Sequence, residues 1–185
     1  MTVVAHTDSM LARLRALGSD KDVQSFALSC ARRMWTMLDE NQGLAPWGPS
    51  AAQSMRVLLD CLSTGDPGVD CDVGVLTAVP EDEMWSHDPK VEIPYQHLCE
   101  VVERLVAGAA LSAAEMALKS NLEAINAVLD EGGVSLDMEG PPHVLEQIEM
   151  SRQVHTLDEL SSGGTPRVVY QRLVDQRLGL KDAPS

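Results

Sequence analysis

Apolar residues return every three or four positions along most of this chain, which is the spacing of one buried face on a helix. Val23, Phe26, Ala27, Cys30, Met34, Met37 and Leu38 form the first strong stripe, and Arg32, Arg33 and Asp39 fall off it. Ser19 or Asp20 supplies a cap for that helix, and a shorter helix over 8–17, stopped by Gly18, precedes it. The turn-rich GLAPWGP at 43–49 breaks the pattern; Ser50 then caps a run with Ala52, Met55, Leu58, Leu59 and Leu62 on one side.

The stretch 65–94 holds Pro67, Pro80, Pro89 and Pro94 and reads mostly as loop, with room for a short helix after Pro80. Pro94 fits the first turn of a helix bearing Tyr95, Leu98, Cys99, Val102, Leu105, Val106 and Ala109. Ser112 and Glu115 have the spacing of a capping box for the next helix. That helix is expected to present Ala114, Ala117, Leu118, Asn121, Ile125, Val128 and Leu129 on one face, and Gly132 and Gly133 stop it. Its alanines predict close helix approach. A helix from near Pro142 carries Leu145, Ile148, Leu157 and Leu160 around a more polar middle. SSGGT at 161–165 reads as a linker to a last short helix over 166–178, with Val169, Tyr170, Leu173 and Val174 apolar and Arg167, Arg172 and Arg177 around them.

The fold class that follows is all-α: a single-domain helical bundle of about six to eight helices. An acidic bundle is expected over 1–160, with a linker and a short C-terminal helix packing on it over 161–185. The length of 185 residues suits one domain with a real core.

Composition narrows the function classes. The chain has 14 Lys and Arg against 28 Asp and Glu, a net charge of -14, and such a surface repels phosphate backbones, so nucleic acid is not an expected partner. A hydrophobic share of 44% with 23% charged residues is that of a folding chain, not of a disordered acidic tail. The first residues lack the apolar core and cleavage site of a signal peptide, and no window approaches the ~18 apolar residues of a membrane span. The expectation is a cytoplasmic protein that does not enter membranes. Cys30, Cys61, Cys71 and Cys99 include no C-x-x-C pair and read as free or buried thiols.

Four segments carry a resemblance: FALSCARRM (26–34), VLTAVPEDEM (75–84), AAEMALKSNLEAINAVLD (113–130) and HVLEQIEMSRQVHTLDEL (143–160). In order and spacing they resemble the bacterial YjaG-like family of uncharacterised all-helical proteins, over residues 22–160. The resemblance implies a compact helical bundle and carries over no catalytic or binding residue. The chain departs from that family in its few aromatic residues and in the loop 65–72.

Candidate chemistry is sparse. His97 with Glu100, His143 with Glu146, and His155 with Asp158 are each three apart, so each pair can share a helical face and chelate a metal. Di-metal bundles use the opposite order, Glu-x-x-His, and Arg104 is placed to pair with Glu100 instead. No metal, no cofactor and no catalytic residue is therefore expected. Cys71 lies between Asp70 and Asp72, which disfavour its thiolate. Of Trp35, Trp47 and Trp85, the last two sit in turn-rich segments, where an indole anchors either a loop on the bundle, the expected role, or a partner.

What remains is acid gathered in one region. Asp70, Asp72, Glu81, Asp82 and Glu83, with Trp85, are the candidate partner-binding residues, joined by Asp66 and Asp88. The reading is a non-enzymatic protein-binding module whose acidic surface masks a basic protein, as an immunity or antitoxin protein opposes a nuclease-like toxin. The alternative is a small helical enzyme or metal-binding protein using His97, His143 or His155. A third possibility is a homodimer, rather than a monomer, formed through the Ala-rich helix face.

Overall fold

The computed structural model describes residues 1–41, 48–64, 73–74, 89–129 and 140–164. Among the described residues there are six helices and no strand: α1 (Val3–Ala16), α2 (Asp20–Asn41), α3 (Gly48–Thr64), α4 (Pro89–Val106), α5 (Ala110–Leu129) and α6 (Val144–Ser161). The all-α bundle is as the periodicity predicts. The short helix expected after Pro80 and the C-terminal helix expected over 166–178 lie outside the described residues.

Helices α2, α4 and α5 make the centre, packing on one another; α3 lies against α2 and α4, while α1 and α6 pack on α5 and on each other, and α6 also on α2. The reason is in α5, where Ala113, Ala114, Ala117, Leu118 and Ile125 are fully buried and Ala124 nearly so. Small side chains let two neighbouring axes approach it closely. The Ala-rich face is thus used inside the molecule against α2 and α4, which corrects the idea that a second copy docks there. Phe26, Met34, Met37, Leu38, Met55, Leu59 and Leu98 fill the rest of the same core.

Several boundaries differ from the sequence reading for local reasons. Thr2 caps α1 by accepting from the Ala5 N–H at 3.2 Å, so this helix starts well before residue 8. Pro89, not Pro94, opens α4; Pro94 sits inside the helix, where it leaves out one backbone hydrogen bond. After α4, Gly108 takes φ 74° while the Ala109 N–H reaches the Arg104 carbonyl at 2.8 Å and the Gly108 N–H reaches Leu105 at 3.1 Å. This is a Schellman turn, and it leads straight into α5. The Ala113 N–H bonds to the Ala109 carbonyl at 2.9 Å, so Ser112 is already helical and the expected Ser112–Glu115 capping box does not form. A second Schellman turn, with Gly163 at φ 84° and Gly164 N–H on the Glu159 carbonyl at 2.9 Å, ends α6.

Candidate functional site: a buried polar node

The largest correction concerns Arg33. Its place beside the α2 stripe predicts a surface position, yet it is 2% exposed and among the largest fully buried side chains. Opposite it on α6 is Glu149, at 0%. The guanidinium grips the carboxylate as a fork: Nη2 donates to Oε1 at 2.7 Å and Nε donates to Oε2 at 2.9 Å, with a longer Nε contact to Oε1 at 3.1 Å. Such bidentate, charge-assisted pairing is the geometry that makes two buried charges tolerable.

Two more helices join this pair. Asn121 of α5 donates through Nδ2 to Glu149 Oε1 at 2.7 Å and to the Cys30 carbonyl at 3.3 Å. One turn after Glu149, Gln153 donates to the Leu118 carbonyl at 3.3 Å and accepts through Oε1 from His6 Nε2 of α1 at 2.8 Å. Because the Gln153 amide nitrogen is committed to Leu118, its oxygen faces His6, which places the imidazole proton on Nε2. His6, Arg33, Asn121, Glu149 and Gln153 thereby tie α1, α2, α5 and α6 at one level. Arg33 Nη1 and Asn121 Oδ1 find no hydrogen-bond partner among the described residues, which subtracts from the gain of the node.

Its electrostatics follow from burial and from the fork. Burial works most strongly against the Arg33 charge, but the attraction and hydrogen bonds of Glu149, joined by those of Cys30, together outweigh it, and the guanidinium holds its proton more tightly than usual. The Cys30 thiol, 3.5 Å from Arg33 Nη2, is pushed up to about 12, chiefly by burial, with Arg33 pulling the other way and Glu149 adding to the rise. It is a thiol, not a thiolate, at neutral pH. Burial lowers His6 below its ordinary value, partly opposed by Gln153 and Glu149, so the ring is neutral at pH 7. Arg152, half-buried next to the pair, is lowered by burial first, with Glu149 opposing and Arg33 reinforcing.

What this arrangement does is hold helices together. A cavity of about 280 Å³ between α1 and α5 is walled by Val3, Val4, Thr7, Leu122 and neighbours. Two open grooves of about 600 Å³ run beside α6, one along Val144, Ile148 and His155, the other along His6, Pro141, Pro142 and Met150. Arg33, Asn121 and Glu149 line none of these three, so the charged pair does not face a substrate held in them.

The histidine pairs resolve differently from the metal reading. His143 is the N-cap of α6, accepting from the Leu145 N–H, while Glu146 Oε2 accepts from the His143 backbone N–H at 2.6 Å. The pair spaced for chelation is a capping box. His97 faces Glu123 of α5 at 3.4 Å rather than Glu100, which pairs with Arg104 at 3.2 Å as its spacing suggests. His155 faces Glu159 at 3.6 Å, and Asp158 is taken by Arg13. Among the described residues no three His, Cys, Asp or Glu form a metal-holding group. No described helix is long and apolar enough to cross a membrane.

Asp70, Asp72, Glu81, Asp82, Glu83 and Trp85, the partner-binding candidates, lie outside the described residues. Trp35 is buried with Arg56 5.9 Å from its ring centroid, a packing role. The node itself has a signal in the sequence: Asn121 lies within an apolar stripe, and Glu149 and Gln153 lie at helical spacing between Leu145 and Leu157. Compared with protein-family models, with curated proteins and with solved structures, the chain matches none.

Proposed function

We propose that this protein is a non-enzymatic binding module of the cytoplasm whose acidic surface engages a basic protein, in the manner of an immunity or antitoxin protein covering a nuclease-like toxin. The observation that carries this reading is where the charge sits. In the described bundle five arginines are ion-paired: Arg13 with Asp158, Arg15 with Glu115, Arg32 with Asp60, Arg104 with Glu100, and Arg33 with Glu149 inside. By contrast, residues 65–88 carry Asp66, Asp70, Asp72, Glu81, Asp82, Glu83 and Asp88 with no Lys or Arg, and residues 130–139 add Asp130, Glu131, Asp137 and Glu139, again without a cation. The net charge of -14 is thus concentrated in two stretches of the sequence, 65–88 and 130–139.

Like charges held together cost stability and raise the rate of meeting a cationic surface. Asp70, Asp72, Glu81, Asp82 and Glu83 supply that field, and Trp85 supplies an aromatic anchor of the kind that dominates interface energies. We carry the YjaG-like resemblance into this reading as the proposed family.

The test is capture from host lysate with the tagged chain at low and at high salt, with mass spectrometry of what is held. A basic protein retained at low salt, released at high salt, and no longer retained by a variant with D70N, D72N, E81Q, D82N and E83Q supports the reading. Retention that ignores both salt and these substitutions sinks its electrostatic basis.

A further inference from the structure

Helix α1 meets the bundle through apolar and polar groups. Met10 and Leu14 enter the main core with Leu11 packed against it, while Val3 packs with Leu122 and Met150 in a small apolar cluster of its own. Two of its polar ties lie at the surface: Arg13 to Asp158 at 2.5 Å and Arg15 to Glu115 at 2.7 Å. Exposed pairs of this kind contribute little to stability. The buried tie is His6, 1% exposed, bonded at 2.8 Å to Gln153, which is itself fully buried.

We propose that α1 is an acid-released strap: protonation of His6 detaches α1 from α5 and α6 while α2, α4 and α5 stay packed, uncovering the face that carries Leu122, Met150 and Gln153. The argument is the company His6 keeps. A proton added to it creates a buried cation whose immediate partner is a neutral amide. On α6 the nearby carboxylate is Glu149, whose oxygens are already occupied by Arg33 of α2 and Asn121 of α5. Arg33 and Arg152 add positive charge behind it, and Cys30 beside them is an uncharged thiol. On the α5 side, Lys119 and Glu123 border the groove under Val4, Thr7 and Asp8, so a cation and a carboxylate face that flank of α1 together. No free counter-charge awaits the imidazolium among these groups.

The direction follows from linkage. Burial lowers His6 from its ordinary value of 6.5, so the detached helix binds the proton more readily than the docked one. Docking is at full strength above pH 6.5. It weakens as pH falls below that, and levels off once the docked form is itself protonated.

Amide hydrogen exchange at pH 7.5 and 5.5, corrected for intrinsic rates, reads this directly, because each helix reports its own opening. The expected result is a several-fold loss of protection in α1 at the lower pH, with α2 and α5 unchanged, and no such loss in H6Q, which keeps an amide donor for Gln153 and cannot titrate. Equal α1 protection at both pH values overturns the proposal. So does loss of protection in α1 and α5 together, or persistence of the loss in H6Q. Should H6Q not fold, an NMR titration of the wild-type ring decides: a His6 imidazole that titrates at or above its ordinary value refutes the strap.

Discussion

Replacing Glu149 by Gln removes one charge and leaves the shape of the node nearly unchanged, which makes it a direct probe of the pair. With charge centres about 4 Å apart and an effective dielectric near 20, the Arg33–Glu149 attraction is about 4 kcal/mol. The hydrogen bonds at 2.7 and 2.9 Å are part of that figure, not an addition to it. Removing one partner leaves the other charge buried without compensation, so E149Q and Arg33→Met should each lower stability by about 3–5 kcal/mol. In R33M/E149Q neither charge remains, and the introduced side-chain amide can still accept from Asn121. The double variant should therefore lose less than the sum of the singles by at least about 2 kcal/mol. Urea unfolding followed by circular dichroism, with linear extrapolation, gives all three values. The pH dependence adds a second check. In R33M the carboxyl of Glu149 is buried without its cation, which raises its folded pKa, so the deficit should be smaller at pH 4.5 than at pH 7, whereas E149Q lacks that group. Additive single costs, or an R33M deficit that does not shrink on acidification, would refute the view of the node as a coupled ion pair.

Two further outcomes follow from the fold. Cys30 and Cys99 are buried with thiols pushed up to about 12, chiefly by burial, whereas Cys61 is half-buried, so in native protein at pH 8 a disulfide reagent should label Cys61 well before Cys30 or Cys99. Mass spectrometry of early time points that finds Cys30 labelled first would contradict the burial. Gly108 has φ 74° with open space around a would-be Cβ, so G108A should cost about 1–2 kcal/mol from backbone conformation alone, while G18A, which also meets nothing within 4 Å and has no positive φ, should cost nothing. Equal melting temperatures for the two variants would remove the left-handed turn from the account.

The fold is legible in the sequence because its signal is periodic. The stripes on α2 and α5 name most of the core, and Gly18 marks a real stop. Helix starts are less so. Pro94 obeys the composition of a first turn, yet Pro89 satisfies the same rule about one turn earlier, and sequence cannot arbitrate between two prolines. The Ser112–Glu115 spacing loses to a Schellman turn that commits the chain to helix three residues sooner. Arg33 escapes a reading by stripes because a stripe is drawn from apolar residues alone. Its burial depends on Glu149, which is 116 positions away, and no local pattern reports so distant a partner. The polar middle of α6 weakens the expectation of a continuous helix for the same reason, since Glu149, Gln153 and Thr156 are polar residues on its buried side. The His-x-x-Glu spacing at His143 does signal proximity, and what it builds is a helix start.

Glu149 also settles which longitudinal position α6 can adopt against its neighbours. Leu145, Met150, Leu157 and Leu160 are apolar and interchangeable enough that a seam made of such residues alone could slide by one turn at modest loss. A slide of four residues brings Leu145 or Gln153 to the level of Arg33, and the guanidinium then has no opposite charge. The cost of about 3–5 kcal/mol falls on these one-turn slides and not on the native packing. The ion pair thus acts as a register pin: its value lies less in the stability it adds than in the alternatives it closes to the chain.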